Sequence, residues 1–347
     1  MIIIKAVQVT GYGDLDKLEI VNIPIPKPKE NEVLIQVKAC AINNTEIWMR
    51  EGAYGNDSKS GWRKEGVQFP RTPGSDIAGV VVQVGDQVSS SMIGKSVVVF
   101  PFTSSGEEGV ENISEDMSFI GSEYDGGYAE YVVWPADLCF DMPLVDFKES
   151  AVFSVSGLTA WHMAEQVKIK PNETVMVTGA NGGVGSFNVQ IAANVFKAKV
   201  IAIVGDLSLK EQLIALGATH VLSYKSKNLE EEILDINNGP VDSVLDVVGD
   251  ALFETSLKVL KNGGKFCISG SAGGQKSELD FKLLYLKHLR LYGSVLGTKQ
   301  DYQNMLKAIS NKQIKAVIDC TFPLEQARQA QSYFKKSGKL GKVVLIP

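Results

Sequence analysis

The sequence predicts an α/β protein in which a mainly β, barrel-like region precedes a doubly wound parallel sheet. The first 150 residues contain short β-like runs, such as EVLIQVKA and IAGVVVQVG, separated by Gly, Pro and Asp as in antiparallel barrels. From about residue 155 onwards, strands and helices alternate, which is typical of a parallel sheet with helices on both faces. A chain of 347 residues is long enough for these regions to be two domains.

The alternating region can be assigned element by element. Its strand runs are ETVMVTG, KVIAIVG, HVLSY, VDSVLDVVG, GGKFCISG and LRLYGSVLG. Its helix runs are GVGSFNVQIAANVF, LSLKEQLIALGA, LEEEILDI and ALFETSLKVLK, and an amphipathic helix with short strands closes the chain from TKQDYQNMLKAI to GKVVLIP. In the β-like region, the polar insert at 53–68 has no clear periodicity, and long loops of this kind are often functional.

Composition and charge narrow the class of partner. The net charge of −5 gives no basic face for nucleic acid or an anionic membrane. No apolar run approaches the ~20 residues of a bilayer-spanning helix, and the first residues lack a signal-peptide pattern. The cysteines lie far apart without a CxxC pair, so neither a disulfide framework nor a zinc ribbon is indicated. We therefore expect a cytoplasmic protein with a small-molecule substrate.

The strongest local signal is VTGANGGVGS at residues 177–186, which follows a strand and begins a helix. Its glycines have the spacing G-x-x-G-x-x-G, a variant of the dinucleotide-binding pattern. Small residues let the backbone approach a pyrophosphate, which the N–H groups and dipole of the helix N-terminus stabilise. A turn without a ligand is the alternative, but the strand–helix alternation on both sides favours dinucleotide binding. The predicted contacts in this turn are Gly179, Asn181, Gly182, Gly183, Val184 and Gly185.

The choice between NAD and NADP depends on the end of the second strand, in IVGDLSLK. An acidic residue there accepts hydrogen bonds from the ribose 2′-hydroxyl, whereas a cation suits a 2′-phosphate. Asp206 fits NAD by its distance from the glycines, but the acidic position normally ends the strand, near Val204. Lys210 and Lys225 are the candidate cations, although a solvated surface explains both lysines equally well. The residues favour NADP, with NAD as the alternative.

Segments along nearly the whole chain resemble the medium-chain dehydrogenase/reductases, and within them the zinc-free quinone-oxidoreductase-like branch. These segments are VLIQVKACAIN, PGSDIAGVVVQVG, GGYAEYVVWPA, SGLTAWHMA, VTGANGGVGS, LGATHVLSY, DVVG and GKVVL. The resemblance implies a GroES-like catalytic domain of residues 1–150, completed by 297–347, and a Rossmann dinucleotide-binding domain of residues 151–296. It also implies a homodimer, with the strand LRLYGSV at the edge between subunits.

Zinc-dependent members of this family hold a catalytic metal with two cysteines and a histidine. Asn43, Ser75 and Val155 occupy those positions here, and none of the three is a useful zinc ligand. Asp76 and Glu46 lie close to these positions, but two carboxylates alone make a poor zinc site. The family's four-cysteine structural-zinc segment is also replaced, by GSEYDGGYAEY. The resemblance and these residues together predict a site without zinc.

A site without a Lewis acid must polarise a carbonyl with hydrogen-bond donors. This favours substrates that accept a hydride readily, namely quinones and α,β-unsaturated carbonyl compounds. The quinone-reductase branch carries an Asn followed seven residues later by Arg-x-Gly, which Asn43, Arg50 and Gly52 reproduce. Asn43 is therefore the predicted catalytic residue, facing substrate or nicotinamide. The alternative is that Asn43 caps the helix, although Asn44 is the better candidate for that role.

The resemblance also assigns residues around the nicotinamide and the substrate. Tyr54, in the loop after this helix, is a candidate proton donor or substrate contact, with aromatic packing as the alternative. Thr159 resembles the residue that packs beside the nicotinamide. Gly249 and Gly270 fall at carboxyl ends of Rossmann strands, where cofactor contacts concentrate.

Two positions bear on the phosphate of NADPH. Tyr224 matches a family position that approaches the adenosine phosphate. The family's phosphate-binding lysine, however, falls on Leu209, one place before Lys210, and this departure weakens the case for NADPH.

Three functions remain open at this point. The leading hypothesis is zinc-independent, NAD(P)H-dependent reduction of a quinone or enone. The others are an alcohol or aldehyde dehydrogenase that acts without metal, and a nucleotide-binding protein with little catalysis. Hydrolase chemistry has no support, because the three histidines form no Ser/His/Asp or Cys/His arrangement.

Overall fold

The computed structural model describes residues 2–54 and 66–347, so most of the polar insert predicted at 53–68 lies outside the described residues. The chain divides into two compact units. The first unit comprises the chain up to Val155, together with Ala316–Ser337 and Lys342–Pro347. The second unit comprises Ser156–Lys315 and Gly338–Gly341.

The elements of the first unit are mainly strands, numbered here along the whole chain. They are β1 (Ile3–Val9), β2 (Leu18–Pro24), β3 (Glu32–Ala41), α1 (Asn44–Glu51), β4 (Asp76–Val84), β5 (Ser96–Val99), β6 (Phe102–Thr103), β7 (Ser118–Phe119), β8 (Tyr131–Pro135), β9 (Cys139–Asp141), α2 (Phe147–Ser150), β16 (Ile318–Pro323), α10 (Ala327–Phe334) and β17 (Lys342–Ile346).

The largest sheet of the first unit is organised around β3. Its strand order is β16-β17-β3-β4-β5-β9, and β8 also pairs with β3. The pairs that include β3 are antiparallel, as expected from the short runs separated by turn residues. Val33, Ile35 and Val37 of β3 are buried in the core beneath this sheet. Because β17 pairs directly with β3, a strand of residues 342–346 lies beside a strand of residues 32–41 in one sheet.

The elements of the second unit alternate between helices and strands. They are α3 (Leu158–Val167), β10 (Thr174–Thr178), α4 (Gly183–Gln190), β11 (Lys199–Val204), α5 (Lys210–Leu216), β12 (His220–Ser223), α6 (Leu229–Asn237), β13 (Val241–Asp246), α7 (Asp250–Val259), β14 (Leu260–Ile268), α8 (Phe281–Leu286), β15 (Arg290–Gly293) and α9 (Lys299–Ser310).

The second unit is the predicted doubly wound sheet. Its six strands have the order β12-β11-β10-β13-β14-β15, and every neighbouring pair is parallel. The chain leaves β10 towards β11 and later returns on the other side to β13, so the strand order reverses beside β10. Such a switch point is where α/β sheets bind ligands, at the carboxyl ends of the strands. The α/β class predicted from the sequence is therefore confirmed.

The predicted domain boundaries differ from the two units. The chain changes unit after Val155 rather than at 150, and it returns to the first unit at Ala316 rather than at 297. The difference arises because α9 packs in the second unit against α3, where His162 Nδ1 lies 2.8 Å from Asp301 Oδ2. Across the described residues, each helix is too short or too polar to cross a lipid bilayer.

Candidate functional site

The glycine turn, residues 177–186, connects β10 to α4 in the second unit. Gly179 follows β10 with φ +55°, a conformation that side chains other than glycine rarely adopt. Gly182 is extended and precedes the first helical residue, Gly183. A Cβ on Gly185 would lie 2.1 Å from the carbonyl oxygen of Gly179, so only glycine lets the helix pack this closely. The N–H groups in the first turn of α4 have no acceptor within the helix and can bind an anion.

Asn181 and Val184, the other predicted contacts in the turn, have different surroundings. The Asn181 side chain donates to the carbonyl of Lys339 at 2.9 Å, and its own carbonyl accepts from Gly341 N–H at 2.9 Å. Asn181 therefore holds the turn against residues 338–341 of the same unit. Val184 is the second residue of α4, at the helix end where the backbone N–H groups are exposed to a ligand.

Asp246, at the carboxyl end of β13, is a buried acid that was not singled out from the sequence. Thr178 Oγ1 donates to Asp246 Oδ1 at 2.5 Å, and Gly249 N–H donates to Asp246 Oδ2 at 2.8 Å. Burial raises the pKa of this carboxyl. Gly249 has φ +81°, and an added Cβ would lie 2.4 Å from the carbonyl oxygen of Gly274. Asp246 thus connects the end of β10 to the turn that contains Gly249. Its position at the end of a predicted strand is the sequence feature that could have identified it as a site residue.

The remaining predicted cofactor residues lie at other strand and helix ends of the second unit. Tyr224 follows β12 and donates its backbone N–H to the carbonyl of Val204 at 3.0 Å. Thr159 is a buried residue in the first turn of α3. Gly270 follows β14, where an added Cβ would lie 2.9 Å from the carbonyl oxygen of Val247. Lys210 is exposed at the start of α5.

The end of β11 carries an acid as well as cations. Asp206 is exposed, and its Oδ1 accepts from Ser208 N–H at 2.9 Å. The hydrogen bonds from Ser208 lower the pKa of Asp206, and the charge of Lys225 lowers it further. Asp206 is therefore ionised at neutral pH. Tyr224 reaches the same place, because an added Cβ on Gly205 would lie 2.7 Å from its hydroxyl oxygen.

A second group of functional candidates is buried in the first unit. We call Asn43, Glu46, Ser75, Asp76 and Lys342 the polar cluster. Asn43 Nδ2 donates to Asp76 Oδ2 at 3.0 Å, and Lys342 Nζ donates to Asn43 Oδ1. Lys342 Nζ also lies 2.9 Å from Asp76 Oδ2. Only 6% of Asn43, 1% of Lys342 and none of Asp76 is exposed, so these bonds form in a dry interior.

Glu46 completes the polar cluster at the start of α1. Its Oε2 accepts from the backbone N–H of Asn43 at 2.6 Å, and its Oε1 accepts from Ser75 N–H and Ser75 Oγ, both at 3.1 Å. Burial raises the pKa of the Glu46 carboxyl, and the charge of Lys342 offsets part of the rise. Asn43 occupies the N-cap position and Asn44 is the first helical residue, so the preference for Asn44 as the cap was wrong.

The residues at the family's zinc positions do not fit zinc. Asn43 offers an amide, Ser75 a hydroxyl and Val155 only an apolar side chain. Asp76 already accepts from Asn43 and Lys342 through Oδ2, and from Val155 N–H through Oδ1 at 2.6 Å. Within residues 2–54 and 66–347, no group of three or more His, Cys, Asp or Glu side chains could hold a metal ion.

Two residues of α1 beside the polar cluster, Thr45 and Arg50, differ in their hydrogen bonding. Thr45 Oγ1 is buried and has no hydrogen-bond partner among the described residues, a feature the sequence did not reveal. Arg50 is fully buried and donates to Gly13 O at 2.5 Å and Gln331 Oε1 at 3.3 Å, so it supports the fold of the first unit.

Tyr54 packs edge-on against Trp48, with ring centroids 6.1 Å apart. Burial of the hydroxyl, and to a lesser extent the charge of Glu46, raises the pKa of Tyr54. Its hydroxyl therefore stays protonated at neutral pH. The ring contact agrees with the packing alternative, and the protonated hydroxyl leaves a donor role available.

Comparison with known proteins shows two matching family models. "Alcohol dehydrogenase GroES-like domain" matches residues 29–144, and "Zinc-binding dehydrogenase" matches residues 183–311. An NAD-dependent alcohol dehydrogenase of Sulfurisphaera tokodaii is 30% identical over 99% of this chain and 100% of that protein. The quinone oxidoreductase of Mus musculus is also 30% identical, over 99% of this chain and 98% of that protein.

A solved structure extends the similarity to three dimensions. The cobalt- and zinc-bound thermostable alcohol dehydrogenase of Pyrobaculum aerophilum has a TM-score of 0.88 at 30% identity, with 100% of both chains covered. The similar proteins therefore include alcohol dehydrogenases as well as quinone oxidoreductases. The choice between these activities depends on the residues of this chain.

Proposed function

Because the chain belongs to the medium-chain dehydrogenase/reductase superfamily, we propose that it is a metal-independent, NAD(P)H-dependent reductase of a quinone or an α,β-unsaturated carbonyl compound. The observation that carries the proposal is the polar cluster. Asn43, Ser75 and Val155 stand at the family's zinc positions, and Asp76 is bonded to two of the three. A site with amide and hydroxyl groups in place of a metal suits substrates that are already electrophilic.

The second unit would bind the cofactor. The first-turn N–H groups of α4 would hold the pyrophosphate, and the glycines at 179, 182 and 185 leave room for its approach. Asp246 would hold the Gly249 turn in place at the neighbouring strand end. The nicotinamide, when bound, supplies the hydride.

The first unit would supply the polar groups for the substrate. The Asn43 amide has a fixed orientation, because Asp76 accepts from its nitrogen and Lys342 donates to its oxygen. The Thr45 hydroxyl lies two residues further on, buried and without a partner among the described residues. Both residues lie at the start of α1, where the helix dipole favours negative charge on a substrate oxygen. The final proton would come from water or from Tyr54.

For the cofactor, we propose NADPH, with NADH as the alternative. Lys210, Lys225 and Tyr224 at the ends of β11 and β12 support a phosphate contact. The ionised Asp206 favours the ribose 2′-hydroxyl of NADH instead, although Lys225 offsets part of its charge. The ratio of kcat/KM for NADPH and NADH measures this choice directly.

The decisive experiment is a parallel assay of NADPH and NADH oxidation against a panel of quinones, enones and aldehydes. Zinc is measured in the same preparation. We expect turnover with quinones or enones and less than one zinc per chain. Turnover of aldehydes and alcohols alone would favour the alcohol dehydrogenase alternative, which the names of several relatives suggest. Tight cofactor binding without reduction of any acceptor would favour a nucleotide-binding protein.

We further propose a homodimer formed through β15. This strand is at the edge of the six-stranded sheet, with β14 as its partner in the second unit. The exposed Leu291 on β15, and Phe281 and Tyr285 on α8, leave apolar surface beside an open strand edge. Antiparallel pairing of two copies would satisfy both edges. Light scattering should therefore give twice the chain mass, and a Leu291→Lys variant should shift towards the monomer.

A further inference from the structure

The polar cluster contains a buried lysine whose positive charge plays no part in the preceding proposal. Lys342 is the first residue of β17, and its backbone N–H donates to the carbonyl of Val317 at 2.9 Å. Its side chain is 1% exposed and ends at Asp76 and Asn43. An ammonium group is buried this completely only where charge and hydrogen bonding compensate its lost hydration.

We propose that the Lys342 ammonium takes the place of a metal ion as the cation of this site, and that Lys342 is a positioning residue for Asn43. Its role towards Asn43 rests on the proposed function, whereas its role as the resident cation does not. The zinc positions Asn43 and Val155 are joined through the carboxylate of Asp76, which the ammonium neutralises. The links that a metal provides in zinc-dependent relatives are here hydrogen bonds and one ion pair.

The strand pairing fixes the ammonium in place. β17 pairs with β3 in the register Leu345 to Cys40 and Val344 to Ala41, and Ile42 N–H donates to the carbonyl of Val343 at 2.9 Å. Continued by two residues beyond the pair Val344 and Ala41, this register brings Lys342 opposite Asn43. The sheet therefore fixes the backbone of Lys342 at a position from which its side chain contacts Asn43 and Asp76.

The hydrogen bonds of Asp76 leave little for a metal to bind. Its two oxygens accept from Asn43 Nδ2, Lys342 Nζ and the N–H of Val155. Glu46, the other carboxylate, accepts from Asn43 N–H and from both donors of Ser75. A divalent ion would have to displace these bonds and would be repelled by the ammonium. Zinc exclusion is thus a consequence of the residues that are present.

A double-mutant cycle tests whether Lys342 and Asp76 act as one ion pair. Either Lys342→Met or Asp76→Asn leaves one buried charge without its partner, so each should lower Tm by about 10 °C. The double variant removes both charges and should lose clearly less than the sum of the two single changes. Lys95→Met is the control, because Lys95 is exposed and lies 3.8 Å from the exposed Asp141; its Tm should change little.

Metal content and catalysis supply independent readouts. In the wild-type protein, zinc should remain below one per chain, and neither a chelator nor added zinc should shift Tm. Lys342→Met should lower kcat while leaving the KM for the cofactor unchanged, and Lys342→Arg should restore part of kcat. Stoichiometric zinc, a chelator-induced drop in Tm, or additive single variants would overturn the resident-cation role. If no acceptor is reduced, the proposed function fails while the metal and Tm results still decide this inference.

Discussion

The glycine turn and the polar cluster are built from different parts of the chain and are sensitive to different changes. The turn consists of consecutive residues, and its geometry depends on the absence of side-chain volume, because a Cβ added to Gly185 would lie 2.1 Å from the carbonyl oxygen of Gly179. The polar cluster consists of side chains from three separated segments, and its geometry depends on charge and hydrogen bonding. The turn should therefore lose cofactor binding when atoms are added to it. The polar cluster should lose activity when one of its polar groups is removed.

The largest effect is expected from added volume in the turn. Gly185→Ala would place a Cβ against the backbone of Gly179 and Ala180, which cannot move away as a flexible side chain could. Displacement of the turn should cost about two charge-assisted bonds from the backbone to the pyrophosphate, which corresponds to about 1000-fold weaker cofactor binding. Binding can be measured by the quenching of protein fluorescence or by calorimetry.

A second glycine provides the matched control for this variant. Gly293, on β15 in the same unit, has no atom within 4 Å of an added Cβ. Gly293→Ala should therefore bind the cofactor as the wild-type protein does. Unchanged affinity in a folded Gly185→Ala protein would show that the turn does not hold the cofactor.

The next effect is expected from the loss of a polar group in the cluster. Asn43→Ala removes the amide proposed to contact the substrate oxygen, so kcat should fall about 100-fold, as when one donor to a developing oxyanion is removed. Cofactor affinity should stay the same, because the turn lies in the other unit. Asn44→Ala is the control, since Asn44 is exposed on the same helix. Equal losses in both variants would contradict a specific role for Asn43.

The smallest effect is expected at a charged contact inside the second unit. It tests whether a site becomes sensitive to charge because it is made of charged, hydrogen-bonded groups, whichever unit contains it. Burial alone would raise the pKa of Asp301, but hydrogen bonds from His162 and Thr298 outweigh it and the pKa is lowered. Asp301 therefore stabilises the fold above the ordinary carboxyl pKa, and this contribution is lost as pH falls through the lowered folded-state pKa.

The corresponding measurement is Tm between about pH 6 and pH 3. Asp301→Asn should lower the free energy of unfolding by about 1 kcal/mol at neutral pH. Its Tm should also fall less than that of the wild-type protein as the pH is lowered. Glu165, the other acid near Asp301 and His162, is unchanged in this variant. Asp235→Asn, an exposed change on α6, should retain the wild-type pH dependence. If the Tm of Asp301→Asn falls with pH as steeply as that of the wild-type protein, the Asp301 carboxylate does not contribute to the pH dependence of stability.

Much of the second unit could be predicted from the sequence, because its signals are local. The alternating runs correspond to the strands and helices from β10 to β15, and the glycine spacing marked the turn after β10. Asp246 was not singled out because its importance depends on Thr178, which lies 68 residues away in the sequence. The predicted boundary at 297 differs from the division at Ala316 because the amphipathic pattern of α9 fits either unit, and only its contact with α3 assigns it to the second.

In the first unit, local sequence patterns predicted the residue types of the site but not the contact between Asn43 and Lys342. Asn43, Ser75 and Val155 could be recognised as unsuitable for zinc from residue type alone, since donor chemistry belongs to the side chain. Nothing in the segment GKVVLIP indicates that its lysine lies against Asn43, 299 residues earlier in the chain. The pairing of β17 with β3 creates that contact. Because the site is buried away from water, the attraction between Lys342 and Asp76 is stronger than it would be at the surface. Residue types alone predict a site without zinc, whereas folding places the ammonium of Lys342 in the polar cluster.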